Sequence, residues 1–281
     1  MLVEGNSIRS IERMTGIQKK TITRLLVQVG NVCQEFQFRI LQGLTCEHVQ
    51  CDEIWSFCYC KEANVPEKFK GFFGFGDVYT WTALCEECKL VPCWFVGRRD
   101  VTSADYFVRN LARRIRHRVQ ITTDGHGAYI DPMERHFGGR ADFSQVIKIF
   151  GIERDNNQIR YSPPVCIGTK TKVLAGQPDP EHISTSLVER QNLTMRMHMR
   201  RFTRLTNGFS KKVDNLQAAV ALHFMYYNFC KVHTTLRMTP AMKAGKASRV
   251  FEIADIVGLL HGVEPEGTMD NPLSVKSLYG K

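Results

Sequence analysis

The apolar positions near the start of the chain recur at helical spacing in two short bouts. Ile8, Ile11 and Met14 stand three apart, Gly16 interrupts, and Ile22, Leu25 and Leu26 resume the pattern. Two helices of a helix-turn-helix bury a shared face in this way, and so does an ordinary helical hairpin. Lys19, Lys20, Thr21 and Thr23 crowd the start of the second helix, where a reading helix meets phosphates and base edges. A small all-α helix-turn-helix is therefore expected over residues 1–32. A tri-helical unit needs an earlier helix, and only Met1 to Val3 precede the Gly5-Asn6 turn, so truncation of the unit is left open.

From Val49 the period changes. VQCDEIWSFCYC, DVYTWTALCEECKL and VPCWFVGRRD are rich in aromatic and β-branched residues and predict three antiparallel strands. TSADYFVRNLARRIRH returns to helical spacing, with Thr102 or Ser103 as N-cap and Phe107, Leu111 and Ile115 on one face. VQITTDG predicts a short strand, DPMERHF a helix and QVIKIFG another strand. RYSPPVCIGTKTKVLAGQPDPEH, loaded with Pro, Gly and Thr, is expected to be a loop or inserted excursion near 161–183. Two long helices close the pattern, STSLVERQNLTMRMHMRRFTRLT and SKKVDNLQAAVALHFMYYNFCKVH, divided at Asn207-Gly208. This order predicts an α/β fold with a mixed sheet flanked by helices, and it fits the ribonuclease H superfold. The expected divisions are the helix-turn-helix at 1–32, a catalytic domain over 46–242 and a C-terminal tail over 243–281.

The 281 residues carry a formal charge of +10, which favours a polyanionic partner over a small neutral substrate. Double-stranded DNA leads, with an acidic membrane surface second. No apolar run approaches the roughly 20 residues of a bilayer span and no secretion leader opens the chain, so a cytoplasmic, nucleoid-associated protein is expected. Ten cysteines in a chain of that kind are expected to be reduced. Zinc is conceivable at Cys58 and Cys60 with the CxxC of Cys85 and Cys88, but a strand-borne CYC has no flanking turn, so ordinary cysteines are the preferred reading and zinc is not expected.

A polyanion-cutting enzyme with two metals needs carboxylates that converge on hard cations. Asp52 lies mid-strand, where an unpaired carboxylate is costly to bury. Glu53 is adjacent, but successive strand residues face opposite ways, so Asp52 is preferred. Asp124 ends a strand just before Gly125, either as a ligand at a strand's carboxyl edge or as a plain Asp-Gly turn. Glu189 begins a long helix three residues after Ser186, either as a ligand or as the acid of a capping box. Arg196 and Arg200 share its polar stripe with Asn192, while Val188, Met195, Met199 and Phe202 form the apolar stripe. Seven basic residues fall between Arg190 and Lys212 and five arginines between Arg109 and Arg118, with no acid in either window. One-sided runs of this kind suit phosphate contact, and a solvated face is the alternative. Expected DNA contacts are Lys19, Lys20, Thr21, Thr23, Arg190, Asn192, Arg196, His198, Arg200, Arg201, Arg204, Lys211 and Lys212. His126 and His198 are either contacts to the cleaved strand or structural histidines.

With these residues in place the chain resembles the insertion-sequence-one (IS-one) family of bacterial transposases, from near Leu2 to about Met242. The strings that carry the likeness are DEIWSF, WFVGRRD, TTDGHGAY and STSLVERQNLTMRMHMRRFTRLTNGFSKK, with YYNFCKVHTTLRMTPA similar to the closing segment of many transposases and integrases. The resemblance implies a DDE triad of Asp52, Asp124 and Glu189 holding two Mg²⁺ or Mn²⁺ ions. It also implies strand cleavage and strand transfer at inverted terminal repeats of an insertion sequence, by a homo-oligomer assembled on DNA. A catalytically inert DNA-binding protein derived from a transposase is the alternative. A ribonuclease H or resolvase-type nuclease is a third reading.

Overall fold

The computed structural model describes residues 1–151, 165–203 and 207–269. Its centre is a six-stranded mixed sheet made from β1 (His48–Cys58), β2 (Gly76–Cys85), β3 (Trp94–Gly97), β4 (Val119–Asp124), β5 (Ala141–Gly151) and β6 (Val165–Ala175). The strand order is β3-β2-β1-β4-β5-β6. β1, β2 and β3 are antiparallel neighbours, β4 joins β1 in parallel, β5 joins β4 in parallel, and β6 runs antiparallel to β5. β1 has neighbours on both edges and is largely buried along its length, which explains why its apolar run does not alternate cleanly.

Two helices precede the sheet, α1 (Ile8–Thr15) and α2 (Lys19–Ile40). Gly16 ends α1 in the left-handed conformation with φ 71°, its N–H donating to Glu12 O, a common helix stop. The break foreseen at Gly16 is there, but the shared face is narrower than expected. Ile11, Ile22 and Leu26 are buried, whereas Met14 and Leu25 are exposed. Nor does α2 stop near residue 32. It continues to Ile40, and its buried residues Leu26, Val29, Cys33, Phe36 and Ile40 belong to the same core as the sheet. α2 lies along α6 (Val213–Met225), and the two come closest at Gly30, where an added Cβ would stand 2.5 Å from Ala218 Cα.

The remaining helices are α3 (Val101–Arg114), α4 (Ile130–Phe137), α5 (Ser186–His198), α7 (Pro240–Lys243) and α8 (Ile253–Gly258). Asp100, not Thr102 or Ser103, caps α3, its side chain accepting from Ser103 N at 2.8 Å. The Asp100 carboxylate thus satisfies the free amide of the third helical residue. α5 is shorter than its apolar pattern suggested, ending at His198 with a single 3₁₀ turn at Arg200–Phe202 after it. Residues 204–206, including Arg204, lie outside the described residues. The first part of the supposed tail belongs to the core: Phe251 packs on Phe229 at 5.2 Å between ring centres, and Ala247 and Ile256 are buried, while residues 270–281 lie outside the described residues.

The largest departure from expectation is β6, placed where a loop was foreseen. Thr169, Lys170, Thr171, Lys172 and Val173 pair with β5. The alternating Thr and Lys suit an exposed edge strand, whose lysines discourage further strand addition. Glycine and proline around the segment hid that pattern, and residues 161–164 lie outside the described residues.

Candidate active site

The site follows from where β4 leaves β1. Their parallel pairing runs from His48 with Gln120 to Cys51 with Thr123 and then stops, so Asp52 and Glu53 lie just beyond it and Asp124 ends β4 beside them. Crevices at the carboxyl ends of parallel strands collect ligands for this reason. A cleft of about 740 Å³ opens there, lined by Asp52, Glu53 and Arg99, by Asp124 and His126, and by Lys148, Glu189, Asn192 and Arg196 among others. Asp52, Asp124 and Glu189, the three acids singled out from the sequence, thus face one space.

Their surroundings differ. Asp52 accepts from Asn192 Nδ2 of α5 at 2.7 Å. Glu53 points to the other face of β1, where Arg99 Nε meets its Oε2 at 3.1 Å and the Tyr129 ring lies beside it. The opposite directions of neighbouring strand residues are as expected. They do not exclude Glu53 from the site, because the end of β4 leaves an opening that both carboxylates border. Asp52, Glu53 and Asp124 each place an oxygen within 4.8 Å of the other two. This corrects the choice of Asp52 alone from the pair.

Glu189 is in the cleft but does not join that tight trio. Its Oε1 accepts from Thr185 Oγ1 at 2.6 Å and its Oε2 pairs with Lys148 Nζ of β5 at 2.5 Å. The capping-box alternative fails by one position, since Thr185 is the N-cap and Ser186 already lies inside α5. Asp124 is more than a turn former. Its Oδ1 accepts from His126 N at 3.1 Å, while its Oδ2 takes Arg99 Nη2 at 3.1 Å. Arg99 therefore straddles Glu53 and Asp124.

Burial first, then the nearby charge of Asp124, pushes Asp52 up to about 7. The same two causes in the same order raise Glu53 to about 7. Both acids are poised between neutral and charged at neutral pH. Glu53 Oε1 and Asn192 Oδ1 are buried and close no hydrogen bond, and an unsatisfied buried oxygen is costly. A donor set of carboxylate and amide oxygens, partly unsatisfied and drawn together beside Arg99 and Lys148, suits a hard divalent cation.

Arg99 and Lys148 escaped the sequence reading, although Arg99 stands in the string GRRD. Nothing local distinguishes it from Arg98, which turns away to donate to Gly71 O. Lys148 follows Ile147 in an edge-ward stretch of β5, and only the fold shows that it reaches α5.

The expected DNA contacts divide into distinct groups. Lys19, Lys20 and Thr23 of α2 line one groove with Arg24 and, from the start of α6, Lys212. Thr21, Arg190, Arg200 and Lys211 are exposed, and Arg196 reaches the acidic cleft. Three assignments need correction. Asn192 borders the cleft but is largely buried, its Nδ2 committed to Asp52. Arg201 donates from Nε to Ser210 Oγ at 2.8 Å and is lowered to about 10 by burial, so it braces the chain after α5. His198 sits beside Lys231, Nε2 to Nζ 3.4 Å, and does not line the cleft. In the arginine run of α3, Arg114 is also buried, donating to Gln37 O and Leu41 O. His126 lines the cleft, and burial, then Arg99, holds its imidazole below the ordinary range.

Among the described residues no helix is long and apolar enough to cross a membrane. No family model and no curated protein matches the chain.

Proposed function

We propose that the protein is a DNA transposase of the DDE type, which cleaves DNA strands at inverted terminal repeats and joins them to a target duplex. The observation that carries this reading is the meeting, in one cleft, of three acids from β1, β4 and α5 that are far apart along the chain. The sheet order, with β1 to β3 antiparallel and β1, β4 and β5 parallel, is compatible with a ribonuclease-H-like core. The net charge of +10 and the basic groove between α2 and α6 favour DNA as the partner.

In this reading Asp52, Asp124 and Glu189 hold Mg²⁺ or Mn²⁺, with Glu53 as a further oxygen donor. Bound there, the cations supply Lewis-acid polarisation of the scissile phosphate and lower the proton affinity of the attacking hydroxyl. The chain's own residues do the positioning. Asn192 fixes the Asp52 carboxylate, and Arg99 orients Asp124 and Glu53 from the opposite side. Lys148 holds Glu189 toward the cleft. Arg196 lies at the wall where a DNA backbone would pass and offers a forked cation to its phosphates. Lys19, Lys20 and Lys212 grip a second stretch of backbone, with α1 and α2 as the reading unit.

The test is a purified-protein assay on labelled duplexes that carry the ends of the protein's own element. Mg²⁺-dependent nicking followed by strand joining, lost in Asp52→Asn and Asp124→Asn, supports the transposase. Tight binding without nicking overturns it in favour of an inert DNA-binding protein. Nicking without joining overturns it in favour of a plain nuclease.

A further inference from the structure

Just ahead of the start of β1, away from the acids at its middle, three cysteines converge. Cys46 leads into β1, Cys85 ends β2, and Cys88 lies in the turn between β2 and β3. Their sulfurs are within 4.8 Å of one another, and all three residues are buried. Sulfurs bound to one tetrahedral zinc stand roughly 3.8 Å apart, given Zn–S bonds of about 2.3 Å, so the spacing needs little adjustment. The sequence reading paired Cys85 and Cys88 with the wrong partners. Cys58 is opposite Gly76 at the far end of the β1–β2 ladder, whereas Val49 is opposite Cys85.

We propose that Cys46, Cys85 and Cys88 form a structural zinc site whose fourth position is closed by Glu87, which stands beside Cys85 but outside the sulfur trio. The turn that carries Cys85 and Cys88 has the features of a metal-binding knuckle. The turn is closed by Cys85 N, which donates to Leu90 O at 2.9 Å. Lys89 adopts a positive φ of 55° directly after the second cysteine, which folds the backbone back around the sulfurs. Its carbonyl accepts from Tyr227 Oη at 2.9 Å, so the turn is held from outside as well.

Glu87 supplies the oxygen. Its Oε2 is 3.1 Å from Cys85 Sγ, and its Oε1 is 2.7 Å from His48 Nδ1. A histidine that orients a ligating carboxylate through its second oxygen is a recurrent way to tune such sites. His48 is itself stacked on His182, ring centres 3.7 Å apart. Three thiolates and one carboxylate fill four tetrahedral positions and leave none for a substrate, so the site is structural. It lies about 20 Å along β1 from Asp52, six residues at about 3.3 Å each. Its effect is to clip the β2–β3 turn to the start of β1, one strand away from the catalytic crevice.

The test is metal analysis of the full-length protein produced in zinc-supplemented medium and purified without chelators. About one zinc per chain is expected, falling at least tenfold in Cys46→Ser and Cys88→Ser but not in Cys166→Ser, an exposed cysteine. Should the serine variants fail to fold, cobalt exchanged into the unaltered protein answers independently. Thiolate-to-cobalt charge transfer with intense visible bands is expected, and Glu87→Gln is expected to shift those bands. Absence of both zinc and the cobalt spectrum overturns the proposal. So does a disulfide between any two of the three cysteines in the protein as purified.

Discussion

Replacing Glu53 by glutamine is expected to stabilise the protein at alkaline pH and to do little in mild acid. The Glu53 carboxyl rises from the ordinary 4.5 to about 7 on folding. At about 1.4 kcal/mol per tenfold change in proton affinity this is about 3 kcal/mol. The side chain is 1% exposed, so solvent screening does not reduce the figure, and the pull of Arg99 is already contained in it. The direction follows from the raised value. Below about pH 4.5 both folded and unfolded chains hold the proton and the group costs nothing. As pH climbs through about 7 the folded protein must accept a charge that the unfolded chain carries freely, and stability is lost. Glutamine keeps the shape and never ionises. Thermal unfolding at about pH 4.5 and about pH 8.5 should therefore show similar midpoints in acid and a variant roughly 6–12 °C higher in alkali. Equal midpoint differences at the two pH values, or a variant less stable in alkali, would refute the electrostatic account of the cleft.

The same cleft predicts a metal effect: millimolar Mg²⁺ or Mn²⁺ should raise the alkaline unfolding midpoint of the unaltered protein, and the rise should largely vanish in Asp52→Asn. Replacing Lys19, Lys20 and Lys212 together by alanine should lower the slope of log affinity for DNA against log salt by up to about 0.9 per lost phosphate contact, measured by fluorescence anisotropy. An unchanged slope would remove the α2–α6 groove from the DNA path. His223 is buried with neither ring nitrogen partnered, and burial lowers it to about 3, so the unfolded chain takes up a proton that the folded one refuses. Stability should fall as pH drops below about 6.5, by up to about 4–5 kcal/mol, and His223→Leu should flatten that acid limb in urea titrations. Gly30→Ala should cost about 1–3 kcal/mol by forcing α2 away from the Ala218 backbone, read from the denaturation midpoint.

Much of the fold was written in the order of periodicities. Alternating and helical stretches identified β1 to β5 and the helices between them, because a half-buried strand and an amphipathic helix each leave a local signature. Asp52, Asp124 and Glu189 were legible for a related reason: a carboxylate inside an apolar strand, at a strand end or on a cation-rich helix conflicts with its neighbours wherever the chain goes. Local pattern failed where one signal masked another, as in β6, whose Thr-Lys alternation is framed by glycine and proline.

What the tertiary structure alone decided concerns distance through space. Only the point where β4 parts from β1 allows Glu53 to share a crevice with Asp52 despite facing the other way. Arg99 and Lys148 border the cleft by reaching across from the turn after β3 and from β5, while packing encloses Arg114 and Asn192 and turns Arg201 onto Ser210. Cys46 met Cys85 and Cys88 rather than the nearer-seeming Cys58 because strand register sets which ends of a ladder coincide. Residue type and spacing determine what a side chain can do. Which groups it does it with depends on the sheet that brings separated residues together.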